Sequence, residues 1–279
     1  MAKRKRTSKI EKWIQEGRGS GRGSEYIPWL TIQNVSSKGR STRLKGIKTN
    51  RQHEFLSDME RNYFYMLEYS DLVIDIREHF PLLPIEDTIL IANELGINHP
   101  KDPSTGEYIV MTTKFLVTVR KNNKVYDVAR TIKSKDDLFD ERIVQRLEIE
   151  HEYWRRSEID WGMVSEKEID KIFARNISYV HTYKDITQID AFQQIPGNVL
   201  EDLILEFANR LISQTRTLRT IANEFESDMR LPSGSGLSLF YYLIANKIIA
   251  IDLHNELNAD EIIGISNIPN DVIEKVRMI

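Results

Sequence analysis

Two stretches of this chain alternate apolar and polar residues with a period of two. VIDIREHFPLLP, residues 73–84, predicts a strand that ends at Pro81 and runs into a loop. VMTTKFLVTVR and KVYDVARTIK flank Asn122-Asn123, and asparagine tolerates positive φ, so residues 110–133 predict a hairpin with a two-residue turn. If Lys121 pairs with Lys124, Lys114 lies opposite Thr131. Lys133 then shares the Thr131 face, roughly 6–7 Å further along the strand. Lys114 and Lys133 are thus expected on one face of one hairpin.

Helical spacing accounts for much of the rest. Ser57 followed by Glu60 fits a capping box and opens a helix to about Ser70. A helix over 86–96 is closed by Gly96. Residues 97–109 read as a loop. A long charged helix over 140–155 carries Ile143, Leu147, Ile149 and Trp154 as its apolar stripe, and a short strand follows over 159–164. Strands interleaved with helices predict an α/β unit. Beyond Ser165 the pattern is mainly helical, with helices expected at 166–175, 186–193, 197–213, 216–227 and 235–247. The last two, joined by Pro-Ser-Gly-Ser-Gly and followed by a short β run, suggest a helix-turn-helix or winged-helix unit. The boundaries expected are a basic flexible arm over 1–25, an α/β domain over 26–168 and a helical domain over 169–279.

Charge changes the picture at the amino-terminal end. Residues 1–51 hold 14 Lys+Arg and 3 Asp+Glu, a net of +11, while the whole chain is −3, so the other 228 residues carry −14. A basic arm on an acidic body suits contact with a phosphate backbone, and Arg18, Arg22, Lys38, Arg40, Arg43, Lys45 and Lys48 are the candidates. GRGSGRGS, residues 17–24, reads as a flexible spacer within that arm. The chain has no cysteine, which excludes disulfides and thiolate metal sites and suits a reducing cytoplasm. Its six histidines are scattered, against a zinc centre. No apolar run is long enough to span a bilayer, and the charged start lacks the apolar stretch of a secretory signal.

Metal-assisted phosphodiester hydrolysis needs carboxylates to hold divalent cations and a lysine to stabilise charge or activate water. One common arrangement takes an acid from a helix, an acid from the first strand of a hairpin, and a polar residue plus lysine, one apart, from the second strand. Thr131-Ile132-Lys133 has that last spacing, and Glu60 is the candidate helix acid. Read locally, Glu60 is equally the second half of a capping box and Lys133 the end of an edge strand.

Ordered segments over residues 16–154 resemble the TnsA family, the endonuclease subunits of heteromeric cut-and-paste bacterial transposases. They are EGRGSGRGSEYIPWLTIQNV, GRSTRLKGIKTNRQHEFLSDMERNYFYMLEYSD, DIREHFPLLP, INHP, MTTKFLVT, TIK and LFDERIVQRLEIEHEYW. The resemblance implies a restriction-endonuclease-like α/β domain using Mg²⁺, followed by a mainly helical domain. It implies a bacterial cytoplasmic protein that cuts transposon 5′ ends beside a TnsB-type transposase. It also implies that a TnsC-type AAA+ regulator binds the C-terminal domain. Glu60, Lys114 and Lys133 match the catalytic positions, with Glu60, Thr131 and Ile132 at the metal. Thr131 stands where the family has Gln or Glu, and Lys114 stands where it has a metal-binding Asp. A protonated lysine has no lone pair to ligate Mg²⁺. Asp127 lies roughly 20 Å along the strand from Lys133, too far to substitute, whereas Glu68, Glu78 and Glu150 are left to helix packing. Two readings follow: a Mg²⁺-dependent endonuclease, or a DNA-binding and bridging subunit of the same assembly in which an ammonium sits at the metal position.

Overall fold

The computed structural model describes residues 8–35, 39–212 and 215–267. The chain forms two compact units, Met1–Ile169 and Asp170–Ile279.

The first unit starts with α1 (Lys9–Gln15), capped by Ser8 in a complete capping box. The Gly/Arg/Ser segment that follows is folded rather than a spacer. Gly17, Gly19, Gly21 and Gly23 all have positive φ, where a side chain is strained. Gly19 N–H bonds the Ile27 carbonyl, and Ile27 N–H bonds that of Ser20. A Cβ on Gly19 would stand 2.2 Å from the Pro81 ring. These glycines supply conformation and close approach, two needs that composition cannot distinguish from flexibility.

A short antiparallel pair, β1 (Thr42–Lys45) and β2 (Gln52–Phe55), precedes α2 (Asp58–Tyr69). The main sheet has the order β3 (Val73–Pro81), β4 (Thr112–Lys121), β5 (Lys124–Ile132), β6 (Asp160–Val164). Helix α3 (Ile85–Glu94) lies between β3 and β4 in the chain. The first three strands are antiparallel, and β6 joins β5 in parallel after α4 (Glu141–Arg156). A parallel neighbour requires such a crossover. On one face, Phe64 of α2 packs with Phe55, and Phe115 of β4 meets both Phe55 and Tyr63. On the other, Leu116, Ala129 and Leu82 pack with Trp154 of α4.

In the second unit, α5 (Lys171–Val180), α6 (Gly197–Ile212) and α7 (Leu218–Met229) surround α8 (Ser235–Ala245), whose Leu239, Phe240, Leu243 and Ile244 are fully buried. Asp170 accepts from the Ile172 and Phe173 amides, so α5 starts five residues later than predicted. Residues 186–193 form only the 3₁₀ turn Ile186–Gln188, because the Asp185 side chain caps that turn and Ile189 leaves it in an extended conformation. The turn between α7 and α8 is pinned by Glu226, which accepts from the Gly234 and Gly236 amides at 2.9 Å each. Gly236 lies so close to α7 that a Cβ there would meet Ala222 at 2.8 Å. Strands β7 (Ala250–Ile251) and β8 (Ile265–Asn267) pair after α8.

Candidate active site

The β4–β5 register is the predicted one, from Lys121↔Lys124 to Phe115↔Arg130, and Asn122 and Asn123 take positive φ at the turn. The ladder stops at Phe115, while β4 stays with β3 as far as Pro81↔Thr112. The candidate site lies where β4 leaves β5.

Strict alternation fails at this fork. Leu116 packs against Trp154, and Thr113, three residues away, accepts a 2.6 Å bond from the same indole. On β3, Glu78 turns to Arg51 and His53, but Phe80 packs on Trp154. Between these pairs stand His79, with φ +50°, and Lys114. Lys114 is not paired with Thr131 in the ladder. It reaches α2 instead, where its ammonium lies 2.7 Å from Glu60 Oε1.

Glu60 is almost completely buried at the start of α2. Its amide bonds the Ser57 hydroxyl at 3.2 Å, and its carboxylate accepts from the Leu56 amide at 2.9 Å. The capping reading is thus half right: the carboxylate reaches one residue beyond the N-cap and still pairs with Lys114. Burial pushes the Glu60 carboxyl up, but the Lys114 charge and the hydrogen bonds outweigh it and leave the group below the ordinary carboxylate range. His79 Nε2 is 3.8 Å from Glu60 Oε2. Burial first, and then Lys114, hold that imidazole below its usual pKa.

Lys133 follows β5, its amide bonded to the Val164 carbonyl at 3.1 Å. Burial and the Lys114 ammonium push its pKa down, while Asp137 and Glu150 pull the other way. Glu150, an acid of α4, also comes to this region. It projects from α4 toward β4 and β5, fully buried, accepting from Thr113 Oγ1 at 2.7 Å and Trp161 Nε1 at 3.1 Å. Burial raises its pKa against these donors and against Lys133 and Thr131. The sequence does contain a signal for it: Glu150 sits three residues after Leu147 and four before Trp154, within the apolar stripe.

The other acids are committed elsewhere. Glu78 accepts from Arg51 Nη1 at 2.8 Å, also from Arg51 Nη2, and from His53 Nδ1 at 2.8 Å. Glu68 accepts from the Ile47 amide at 2.9 Å. Asp127 is held by Arg77, Thr118 and Arg22.

Among the described residues, no three His, Asp or Glu side chains are arranged to hold a metal ion. Glu60 and the Ile132–Lys133 segment do not fit Mg²⁺ in this chain, because the Lys114 ammonium is the cation bound to Glu60.

The expected phosphate contacts divide. Arg18 is used internally: it stacks on Trp13 and donates to Glu16, the Trp29 carbonyl and Asn34. Lys48 donates to the Val73 carbonyl at 2.7 Å. Arg22 and Arg43 are paired with Asp127 and Glu54 but keep about half or more of their surface. Arg40 and Lys45 are exposed. Lys38 lies outside the described residues.

The profile described as "TnsA-like endonuclease N terminal" matches residues 70–166, and "TnsA endonuclease C terminal" matches residues 168–253. The chain is 36% identical over 252 residues to the transposon Tn7 transposition protein TnsA of Escherichia coli, covering 90% of this chain and 88% of that one. The chain belongs to the TnsA family. It is a family of transposase endonuclease subunits, and the β4–β5 fork falls within the matched N-terminal region of this TnsA-family chain. None of its described helices is long and apolar enough to cross a membrane.

Proposed function

We propose that this TnsA-family protein acts at transposon-end DNA as one subunit of a heteromeric bacterial transposase, and that lysine at position 114 closes its endonuclease centre. The single observation that carries the second half is the 2.7 Å pair between Lys114 Nζ and Glu60 Oε1. A divalent cation at Glu60 would have to displace a covalently tethered ammonium and would gain no carboxylate from position 114. The subunit then binds and bridges rather than cuts.

Several features support the setting. The chain order α2–β3–α3–β4–β5–α4–β6 is compatible with a restriction-endonuclease-like unit over 26–168. In that reading Glu60, Lys114 and Lys133 mark the cleavage centre and Thr131 and Ile132 flank it. Arg22, Arg40, Arg43 and Lys45 are the arm cations that keep exposed surface for phosphates. The 169–279 unit is read as a partner-binding domain for a TnsC-type regulator, with a TnsB-type transposase processing the 3′ ends. Its α8 is buried on most sides, which disfavours insertion into a major groove despite the helix–turn–helix arrangement.

The test is end-cleavage with TnsB- and TnsC-type partners and Mg²⁺. The expected result is no 5′ nick with this chain and nicking by Lys114→Asp. Nicks made by the unaltered chain overturn the closed-centre reading.

A further inference from the structure

We propose that the tip of the β4–β5 hairpin is a second contact for duplex DNA, on the phosphate backbone roughly one helical turn from the Glu60–Lys133 site. The inference rests on the reading that this chain acts on transposon ends.

The tip carries Arg120, Lys121 and Lys124, all exposed, around the turn at Asn122-Asn123. Among the described residues none of these three side chains has an ion-pair partner. The nearest acid along β5 is Asp127, and Arg77 and Arg22 already pair with it. Arg22 adds a fourth, largely exposed cation beside the hairpin, fixed by Thr118 at 3.3 Å and Asp127 at 3.2 Å. Outside the first 51 residues the chain carries −14, so an unneutralised cluster of cations here departs from its surroundings.

Lys121 and Lys124 are direct cross-strand partners, with Arg120 adjacent. Like charges placed opposite one another destabilise a hairpin, and a polyanion bound across them removes that repulsion. Exposed Val125 and Tyr126 lie beside the cations, giving the tip apolar surface to set against sugars. A two-residue turn with both residues at positive φ holds the tip as a fixed projection from the sheet.

Lys124 and Lys133 are nine residues apart in the chain, roughly 30 Å of extended strand. DNA advances about 3.4 Å per base pair. A duplex whose reacting phosphate lies by Lys133 would meet the tip about nine base pairs away.

The experiment is fluorescence anisotropy of the full chain with end-containing duplexes across 50–200 mM salt. The chain is compared with the triple variant Arg120→Gln, Lys121→Gln, Lys124→Gln, whose unchanged melting temperature certifies its fold. The expected result is a salt slope lower by about two to three in the variant, near 0.9 per lost phosphate contact. Trimming the duplex to fewer than about nine base pairs from the junction should weaken the unaltered chain on one side only, and the variant on neither. Equal slopes and equal length dependence overturn the hairpin contact and leave the proposed function standing. Failure of the unaltered chain to bind any end duplex overturns both. If polyglutamate binds the tip with the same dependence on these residues and duplex length has no effect, the surface is one for acidic protein, and the DNA proposal falls.

Discussion

Replacing Lys114 with aspartate should make the stability of the N-terminal unit depend on divalent cations. Glu60 is 4% exposed and its carboxylate lies 2.7 Å from an ammonium. Removing one partner of a buried pair costs about 3–5 kcal/mol. The Lys114 side chain keeps 23% exposure, which places the loss near the lower end, about 3 kcal/mol. Aspartate adds like-charge repulsion to that loss, a change of two charge units in one site. For a unit of this size each kcal/mol moves the melting temperature by about 2–4 °C, so a fall of about 6–12 °C is expected in EDTA. A cation held between the two carboxylates at a hundred times its Kd returns about 2.7 kcal/mol. The assay is thermal melting of both proteins in EDTA, Mg²⁺ and Mn²⁺. The unaltered chain should melt at one temperature in all three, and the variant should regain most of its loss in the cations. A variant indifferent to cations, or an unaltered chain stabilised as much as the variant, refutes the geometry.

Lys114→Ala should be most destabilised near neutral pH. The folded-state pKa of Glu60 lies below its ordinary 4.5, so the pair's contribution is fully present above about pH 4.5 and lost as pH falls through the folded value; denaturant melts across pH 3–7 should show the deficit shrinking in acid. Lys133 should titrate below an ordinary lysine because of burial and Lys114, and competitive acylation should label it early, with the shift reduced in Lys114→Ala; labelling at the rate of surface lysines would sink this. Glu78→Gln should cost about 3–5 kcal/mol in urea unfolding, since it leaves Arg51 buried without its bidentate partner. Gly19→Ala should lower the melting temperature and expose residues 17–27 to limited proteolysis, because its φ is +77° and its Cβ would overlap Pro81; an unchanged digest would count against the folded amino-terminal turn.

Local pattern settled much of the chain. Period-two alternation and Asn122-Asn123 determined the hairpin and its register, because a two-residue turn leaves one pairing open. Ser57 with Glu60 determined the start of α2, and helical spacing determined α4, because caps and stripes act within a few residues. Family segments located Glu60, Lys114 and Lys133. What the sequence could not decide depended on groups brought together from distant positions. Alternation put Lys114 beside Thr131, but the β4–β5 ladder ends at Phe115, and Lys114 pairs with Glu60. Glycines at 17–23 have the composition of a spacer, and only the packing of Gly19 on Pro81 and the bonds to residues 20–27 make them a fixed turn. Glu150 is an ordinary helix glutamate until tertiary packing buries it against Thr113 and Trp161, beside Lys133. The sequence by itself determined the hairpin, its register and the family to which the chain belongs. The tertiary structure decided which charges neutralise one another, because burial and a few ångströms of separation set those energies.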